Sequence, residues 1–404
     1  MPVAPALNLD ERRPGRIRPD LGILRAVLEE LGSPHLAFHS VLVVGTNGKG
    51  STAVLLEAVL REHGLTTGLF TSPHLVRVEE RVRLDGVPVD AALLAHQLDR
   101  LVRYPDLTYF ETITAAAFSI FAESGVGVAV LEAGMGGSWD ATRLAGSEIA
   151  GLTNVGTDHR RWLGRERSEI ARDKGRALAA ARFGVIGDDV DPALVADLEA
   201  PGALPAGVLV ASTATEDGNI RLDWADGSAE VRLSMPGRHQ VANAQLALAL
   251  ALETVAVGWL PELDPPLVKR ALGSATWPGR LSVHRVEGRE VLVDCAHNLE
   301  AAQALAKFLA QSDRRYNLLF SCLEDKPVEE MAAVLRPHVE RVVVCPLADE
   351  RAMDLERMLA AFRSAHPAAS PLEALRVLPD PVLAAGSVRL AGALLAHADE
   401  EEVR

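Results

Sequence analysis

Three glycines, a lysine and several hydroxyls crowd into the run Gly45-Thr46-Asn47-Gly48-Lys49-Gly50-Ser51-Thr52, directly after the apolar residues 41–44. Glycines let a backbone curl until several N–H groups face one anion, and a helix that starts there adds the positive end of its dipole. Lys49 offers a point charge for terminal phosphates, and Ser51 a hydroxyl placed to ligate Mg2+. The spacing departs from the commonest phosphate loop: no glycine stands five residues before Gly48, and Gly50 separates Lys49 from Ser51. The plain alternative is a glycine-rich turn without a ligand. The ordered succession of strand, turn, lysine, hydroxyl and helix speaks against it.

Other residues carry chemistry less specifically. Glu132 follows an apolar run and precedes Gly134 and Gly136-Gly137. A carboxylate at the C-terminal end of a strand faces the ligand crevice of an α/β sheet and suits Mg2+. Ser72 precedes Pro73, a spacing that by itself favours a turn. His159 follows Asp158, and a lone histidine is more often a surface or structural residue. Lys174 lies among Arg172, Asp173 and Arg176, which reads as a solvated helix face. Asn243 could present its amide to a base edge or simply to solvent. Arg280 falls in a linker, and Asp294 and His297 flank the end of a strand at 291–293. Thr108-Tyr109-Phe110-Glu111 sets two aromatics beside a carboxylate, fitting either a flat ring with donors or the start of a core-facing helix.

The elements that must hold these residues alternate. Helical apolar spacing over 18–31, 51–63, 112–123 and 167–181 is interleaved with short apolar runs at 41–44, 126–131 and 149–153. Such alternation predicts an α/β domain with a buried parallel sheet. Residues 202–231, with Asp217-Gly218 and Asp226-Gly227, suggest an antiparallel insert. A linker is expected at 273–280, and strands at 291–293, 317–321 and 341–345 place a second α/β domain at 281–404 after a first at 1–277. The 404 residues are ample for this.

The 41 basic and 55 acidic residues leave a net charge of −14, which disfavours nucleic acid and anionic membranes as partners. An anionic ligand then needs a locally positive pocket or a metal. Cys295, Cys322 and Cys345 form no CxxC pair, so neither a disulfide framework nor a zinc site is expected and a reducing cytosol fits. The first residues show no basic-then-apolar leader. The apolar stretch 246–260 is short and contains Glu253, and reads as a buried helix.

The blocks taken together resemble the folylpolyglutamate synthase and dihydrofolate synthase branch of the Mur-ligase superfamily. They run in order: Gly45–Ser51, Thr71-Ser72-Pro73-His74-Leu75, Glu80-Arg81-Val82, Thr108–Glu111 with Thr114, Leu131–Gly137, Asp158-His159 with Leu163-Gly164, and Ile170–Lys174. Gly237-x-His239-Gln240-x-x-Asn243, Pro278-Gly279-Arg280, Asp294-x-Ala296-His297-Asn298, Asp325-Lys326 and Gly386-Ser387 follow. The resemblance implies a Mur-ligase-type P-loop ATPase domain with a parallel central sheet, plus a smaller Rossmann-like C-terminal domain. It implies ATP-driven addition of L-glutamate to a folate or dihydropteroate carboxylate through an acyl phosphate.

By the same resemblance, Thr46, Asn47, Gly48, Lys49, Gly50, Ser51, Thr52, Asn243, Arg280, Asp294 and His297 would hold ATP. Ser51, Ser72, Glu132, His159 and Lys174 would hold two Mg2+ ions, with Lys174 carbamylated to an anion. Lys49, Glu132, His159 and Lys174 would be the catalytic set. His74, Arg81, Thr108, Tyr109, Phe110, Glu111 and Asp140 would line the acceptor site. Domain closure would complete and shield the site, and a cytoplasmic monomer is expected.

There are two departures, the first bearing on the acceptor and the second on the role of Lys174. The family's usual Arg-Leu-Asp-Ala-Thr-Asn is Ser138-Trp139-Asp140-Ala141-Thr142-Arg143 here, and Gly175-Arg176-Ala177 replaces Ala-Gly-Ile. Two other functions are open. A cell-wall Mur ligase would require a UDP-binding domain, for which the 44 residues before Gly45 are too few. A catalytically inactive nucleotide-binding regulator is opposed by the intact Lys49, Glu132, His159 and Lys174.

Overall fold

The structure is a computed structural model that describes residues 18–215 and 217–398. The reading of the N-terminal residues as leaderless lies outside that range. Two compact units divide the chain. The first takes the described residues up to Pro73, then Val78–Ser234 and Val241–Ala275; the second takes His74–Arg77, Met235–Gln240 and the described residues from Thr276 onward. Against the single boundary expected near 277–281, two short excursions join the second unit. The reason is packing: Leu75 lies against Gly279, and its carbonyl sits where a side chain on Gly392 would have to go.

In the first unit the order is α1 (Gly22–Glu30), β1 (His39–Val44), α2 (Lys49–Glu62), β2 (Thr67–Phe70), β3 (Val82–Leu84), β4 (Val87–Pro88), α3 (Ala91–Leu101), α4 (Tyr109–Glu123), β5 (Val128–Glu132), β6 (Ile149–Leu152), α5 (Arg160–Leu163), α6 (Arg167–Ala180), β7 (Phe183–Ile186) and β8 (Leu204–Pro205). Then come α7 (Ala206–Leu209), β9 (Ala211–Ala214), β10 (Ile220–Trp224), β11 (Gly227–Val231), α8 (His239–Ala256) and α9 (Pro265–Ser274). The eight-stranded sheet runs β4-β3-β2-β5-β1-β6-β7-β8. All its pairings are parallel except those of β3.

Strand β1 lies between β5 and β6 and is buried over Ser40–Val44, which is why it reads as a continuous β-branched run. The chain winds to one side of β1 through β2 and to the other through β6, so β1 ends at a topological switch point, where α/β sheets bind ligands. The insert expected over 202–231 begins later. Leu204–Pro205 pairs with β7 in the main sheet, and the antiparallel meander is β9-β10-β11. Helix α8 is the buried helix expected near 246–260, although it ends at Ala256. Among the described residues, no helix is long and apolar enough to cross a membrane.

The second unit holds β12 (Ser282–Val286), β13 (Arg289–Val293), α10 (Leu299–Gln311), β14 (Tyr316–Phe320), α11 (Val328–Leu335), β15 (Val339–Val344), α12 (Leu355–Ala361), β16 (His366–Pro367), α13 (Pro371–Val377), β17 (Val382–Ala385) and α14 (Val388–Leu395). Its sheet order is β12-β13-β17-β14-β15-β16, with only β12 antiparallel. The three cysteines are buried free thiols, and burial pushes Cys295 up to about 11 and Cys322 and Cys345 to about 12. Such thiols are unreactive at neutral pH.

Candidate active site

The phosphate loop is built where β1 stops. Gly48 caps α2 in the left-handed region at φ 82°, and no side chain caps the helix. A side chain there would collide with the Asn243 Oδ1, 2.4 Å from the position of its Cβ. The turn therefore needs glycine both for its dihedral and for its clearance. The start of α2, Lys49 to Ser51, then presents backbone N–H groups and a dipole end of the kind that binds anions, the Thr52 N–H being bonded to the Gly48 carbonyl (2.8 Å).

The preceding residues are committed to scaffolding. Thr46 N–H donates to the Asn154 carbonyl (3.1 Å) and Asn47 N–H to Asn154 Oδ1 (3.0 Å). The Asn47 carbonyl accepts from Thr153 Oγ1 (2.6 Å) and Asn154 Nδ2 (3.1 Å), and Thr46 Oγ1 accepts from Gly156 N–H (2.8 Å). Through these bonds Thr46 and Asn47 shape the loop. Thr153, Asn154 and Gly156 escaped the sequence reading. Their signal is a short polar turn directly after the buried run 149–152. Asn243 is buried, which sets aside the solvated-surface alternative, and its Oδ1 accepts from the Thr52 hydroxyl at 3.4 Å.

Two lysines meet at this edge. Lys49 Nζ donates to the Thr46 carbonyl (3.1 Å), and Lys174, only 2% exposed, donates to the Gly45 carbonyl (2.7 Å). Burial, then the charge of Lys49, lowers the Lys174 pKa to about 7, against the opposing pull of Asp173, Asp158 and Asp140. The solvated-face reading of Lys174 is therefore overturned. Glu132 is 5% exposed at the end of β5, in register with Val43 of β1, and accepts from the Ser72 N–H (2.9 Å). Ser51 is buried in the first turn of α2.

A buried carboxylate and a buried hydroxyl are hard oxygen donors that fit Mg2+. Among the described residues no three His, Cys, Asp or Glu side chains cluster as a metal cage. His159 stands exposed at φ 60° just before α5, its N–H on Asp158 Oδ1 (2.9 Å).

The expected acceptor residues divide. Thr108 and Glu111 form a capping box at α4: Glu111 Oε2 accepts from Thr108 N–H (2.7 Å), and Thr108 Oγ1 from Glu111 N–H (3.3 Å). Their shared task is to start the helix, a contribution of about 1 kcal/mol. Tyr109 and Phe110 are half-buried. The Arg81 guanidinium lies 5.3 Å from the Tyr109 ring centre, and Phe110 packs near Phe70 at 5.8 Å. Asp140 is buried and accepts from Met135 N–H and Thr142 N–H (both 3.0 Å), holding the turn after Glu132; burial raises its pKa. That turn is tied to α6 by Gly137 N–H to Asp173 Oδ2 (2.8 Å). Arg143 donates to the Ser138 carbonyl (2.7 Å) and Arg176 to its hydroxyl (3.2 Å). His74 belongs to the second unit and Arg81 to the first.

In the second unit Asp294 is buried at the end of β13 and accepts from Leu281 N–H (3.0 Å) and Ala296 N–H (2.9 Å). Burial raises its pKa, opposed by Arg280 and His239. His297 Nδ1 lies 2.9 Å from the Cys295 carbonyl.

A phosphate loop at the switch point of a doubly wound sheet, flanked by a buried carboxylate and a second lysine, defines a P-loop ATPase domain of the Mur-ligase kind. Residues 43–251 match the Mur ligase middle domain, and 279–394 the Mur ligase glutamate ligase domain. The chain is 34% identical over 390 residues to dihydrofolate synthase/folylpolyglutamate synthase of Mycobacterium tuberculosis, covering 87% of this chain and 80% of that one. It superposes on Escherichia coli FolC in complex with DHPP and ADP with a TM-score of 0.85, at 27% identity over 96% of this chain and 95% of that one. A bifunctional folylpolyglutamate synthase/dihydrofolate synthase with Mn, AMPPNP and L-glutamate bound gives 0.83, at 28% identity and 96% of each chain. The chain spans 43% of a longer Haloferax volcanii relative, a probable bifunctional folylpolyglutamate synthase/dihydropteroate synthase, at 34% identity over 86% of this chain. The chain belongs to the folylpolyglutamate synthase/dihydrofolate synthase family of Mur ligases, which are ATP-dependent ligases.

Proposed function

We propose that this chain joins L-glutamate to the carboxylate of a folate or dihydropteroate acceptor. An acceptor oxygen attacks the γ-phosphorus of ATP and ADP departs. The glutamate amine then attacks the acyl carbon, and phosphate leaves with the acceptor's oxygen. The first step activates a carboxylate that would otherwise have to expel hydroxide. The observation that carries this reading is the convergence of Lys49, Lys174 and Glu132 on one sheet edge.

Lys49 balances charge on the transferring phosphoryl group, and the first turn of α2 orients the phosphates. Ser51, Glu132 and Ser72 would hold one Mg2+, and His159 with Lys174 a second; bound there, Mg2+ supplies charge neutralisation at phosphate oxygens. Lys174 is suited to carbamylation because its amine is substantially neutral near pH 7. The neutral nitrogen adds CO2 and loses a proton. Tyr109, Phe110 and Arg81 offer flat and cationic surfaces to the acceptor ring, and Arg280, Asp294 and His297 are assigned to the nucleotide or glutamate. Buried free thiols and the charge of −14 support a cytosolic enzyme, here taken as a monomer.

The test is ADP release with L-glutamate and, in parallel, dihydropteroate, tetrahydrofolate or a UDP-muramoyl peptide. Stimulation by either pteridine acceptor is expected. Stimulation by the UDP-linked compound alone would replace this reading with the cell-wall one.

A further inference from the structure

The short helix α5 carries an exposed cationic strip that the chemistry above does not use. Arg160, Arg161 and Trp162 are exposed on it, Trp162 at 40%, and Arg165 is exposed just beyond. The Arg161 guanidinium lies 5.5 Å from the Trp162 ring centre, a contact that holds it ready at the surface. Nearby acids are otherwise engaged. Glu169 Oε2 accepts from the N–H groups of Arg165 (2.7 Å) and Glu166 (3.1 Å), and Asp191 pairs with Arg167 (3.0 Å). Among the described residues, Arg160, Arg161 and Arg165 form no salt bridge. In a chain of net charge −14, three such arginines within six residues are a local reversal of sign.

The position of the strip gives it a ligand. At one end Gly156 N–H is bonded to Thr46 of the phosphate loop; at the other, Leu163 packs on Gly136 in the turn after Glu132. The strip thus borders the edge where the acceptor carboxylate must meet the γ-phosphate. An acceptor that already carries γ-linked glutamates bears one further α-carboxylate per residue, strung back from the reacting end.

We propose that Arg160, Arg161 and Arg165 bind the α-carboxylates of the acceptor's existing γ-glutamyl chain. The strip thereby favours acceptors that have already been extended. This rests on the folate-ligase reading but is separable from it, because it concerns the chain and not the pteridine. Guanidinium groups suit the task because they present a planar fork to carboxylates. Exposed pairs are individually weak, so two of them together change affinity about tenfold, and salt screens the effect.

Equilibrium binding to the full-length protein with ADP and Mg2+ present tests this, using pteroate, pteroyl-monoglutamate and pteroyl-tri-γ-glutamate as probes. The triglutamate should bind about tenfold tighter than pteroate, with the gap shrinking at high salt. R160S/R161S/R165S should abolish the gap while leaving pteroate affinity and the KM for ATP unchanged, and R160K/R161K/R165K should keep most of it. Triglutamate binding without any pteroate binding would keep the strip's role and remove the pteridine reading. Equal affinity of wild type for all three probes, no binding of any, or a raised KM for ATP in the serine variant would overturn the proposal.

Discussion

Each unit has a buried ionisable side chain near the edge of its sheet, Lys174 in the first and Asp294 in the second, and the two are treated differently. Lys174 in the first unit donates to the Gly45 carbonyl and has another lysine nearby. Asp294 in the second accepts two backbone N–H groups and faces Arg280 and His239. Burial drives both towards their neutral forms. For Asp294 the surroundings compensate an anion, so it serves as a latch between β12's approach and the turn after β13. For Lys174 they do not fully compensate a cation. A group held near its own titration point beside a phosphate loop is poised to change charge, whereas a buried carboxylate held by two backbone N–H groups is fixed in place. On the proposed reading, the edge at Lys174 is the chemical edge.

The comparison can be broken in several ways, of which the largest concerns the phosphate loop. Lys49→Ala should lower kcat about a thousandfold in an ADP-release assay, since it removes a charge stabilising the transferring phosphoryl group. A loss of only a few-fold would mean that the loop is not the chemical edge. Next, Lys174→Ala should lose about a hundredfold in activity, and added acetate should restore part of it by standing in for a carbamate. Lys174→Met, in contrast, should leave the melting temperature unchanged or raised, because a buried cation with poor compensation is replaced by an apolar chain. A strongly destabilised Lys174→Met would make that lysine a latch like Asp294.

The third test addresses the latch. Asp294→Asn keeps the volume but turns one accepting oxygen into a donor that faces backbone N–H groups. Denaturant unfolding of the second unit should show a loss of about 1–3 kcal/mol. The last test is the pH dependence of stability. The folded-state pKa of Lys174 lies below its unfolded value, so between about 7 and the ordinary lysine range the unfolded chain binds more protons, and its contribution to stability rises with pH. Asp294 has a folded-state pKa above its unfolded value, so its contribution falls as pH rises through the folded value. Lys174→Met should remove the first slope and Asp294→Asn the second, each measured on its own.

The sequence made the first region legible where burial and pattern agree. The run 41–44 is apolar because β1 is flanked by strands on both sides, and the glycines after it mark a real turn. It misled where a charged residue is buried. The helix α6 carries Arg172, Asp173, Lys174 and Arg176, and nothing in that periodicity distinguishes an inward lysine from its solvated neighbours. The usable signal was Gly175. A side chain there would strike the Leu198 carbonyl, and such a glycine inside a helix marks a close approach. Glu111 shows the opposite case. A carboxylate beside two aromatics invited a ligand, yet the spacing from Thr108 is also that of a capping box, and the fold uses it so. The excursion at His74–Arg77 was not readable, because it depends on Leu75 meeting glycines roughly two hundred and three hundred residues away.

The central claim, that a carboxylate is activated as an acyl phosphate at the edge holding Lys49, Lys174 and Glu132, is tested most directly by isotope transfer. With both carboxylate oxygens of the acceptor labelled by 18O, one labelled atom should appear in the inorganic phosphate released per glutamate joined. Phosphate released without label while the amide forms would contradict the account.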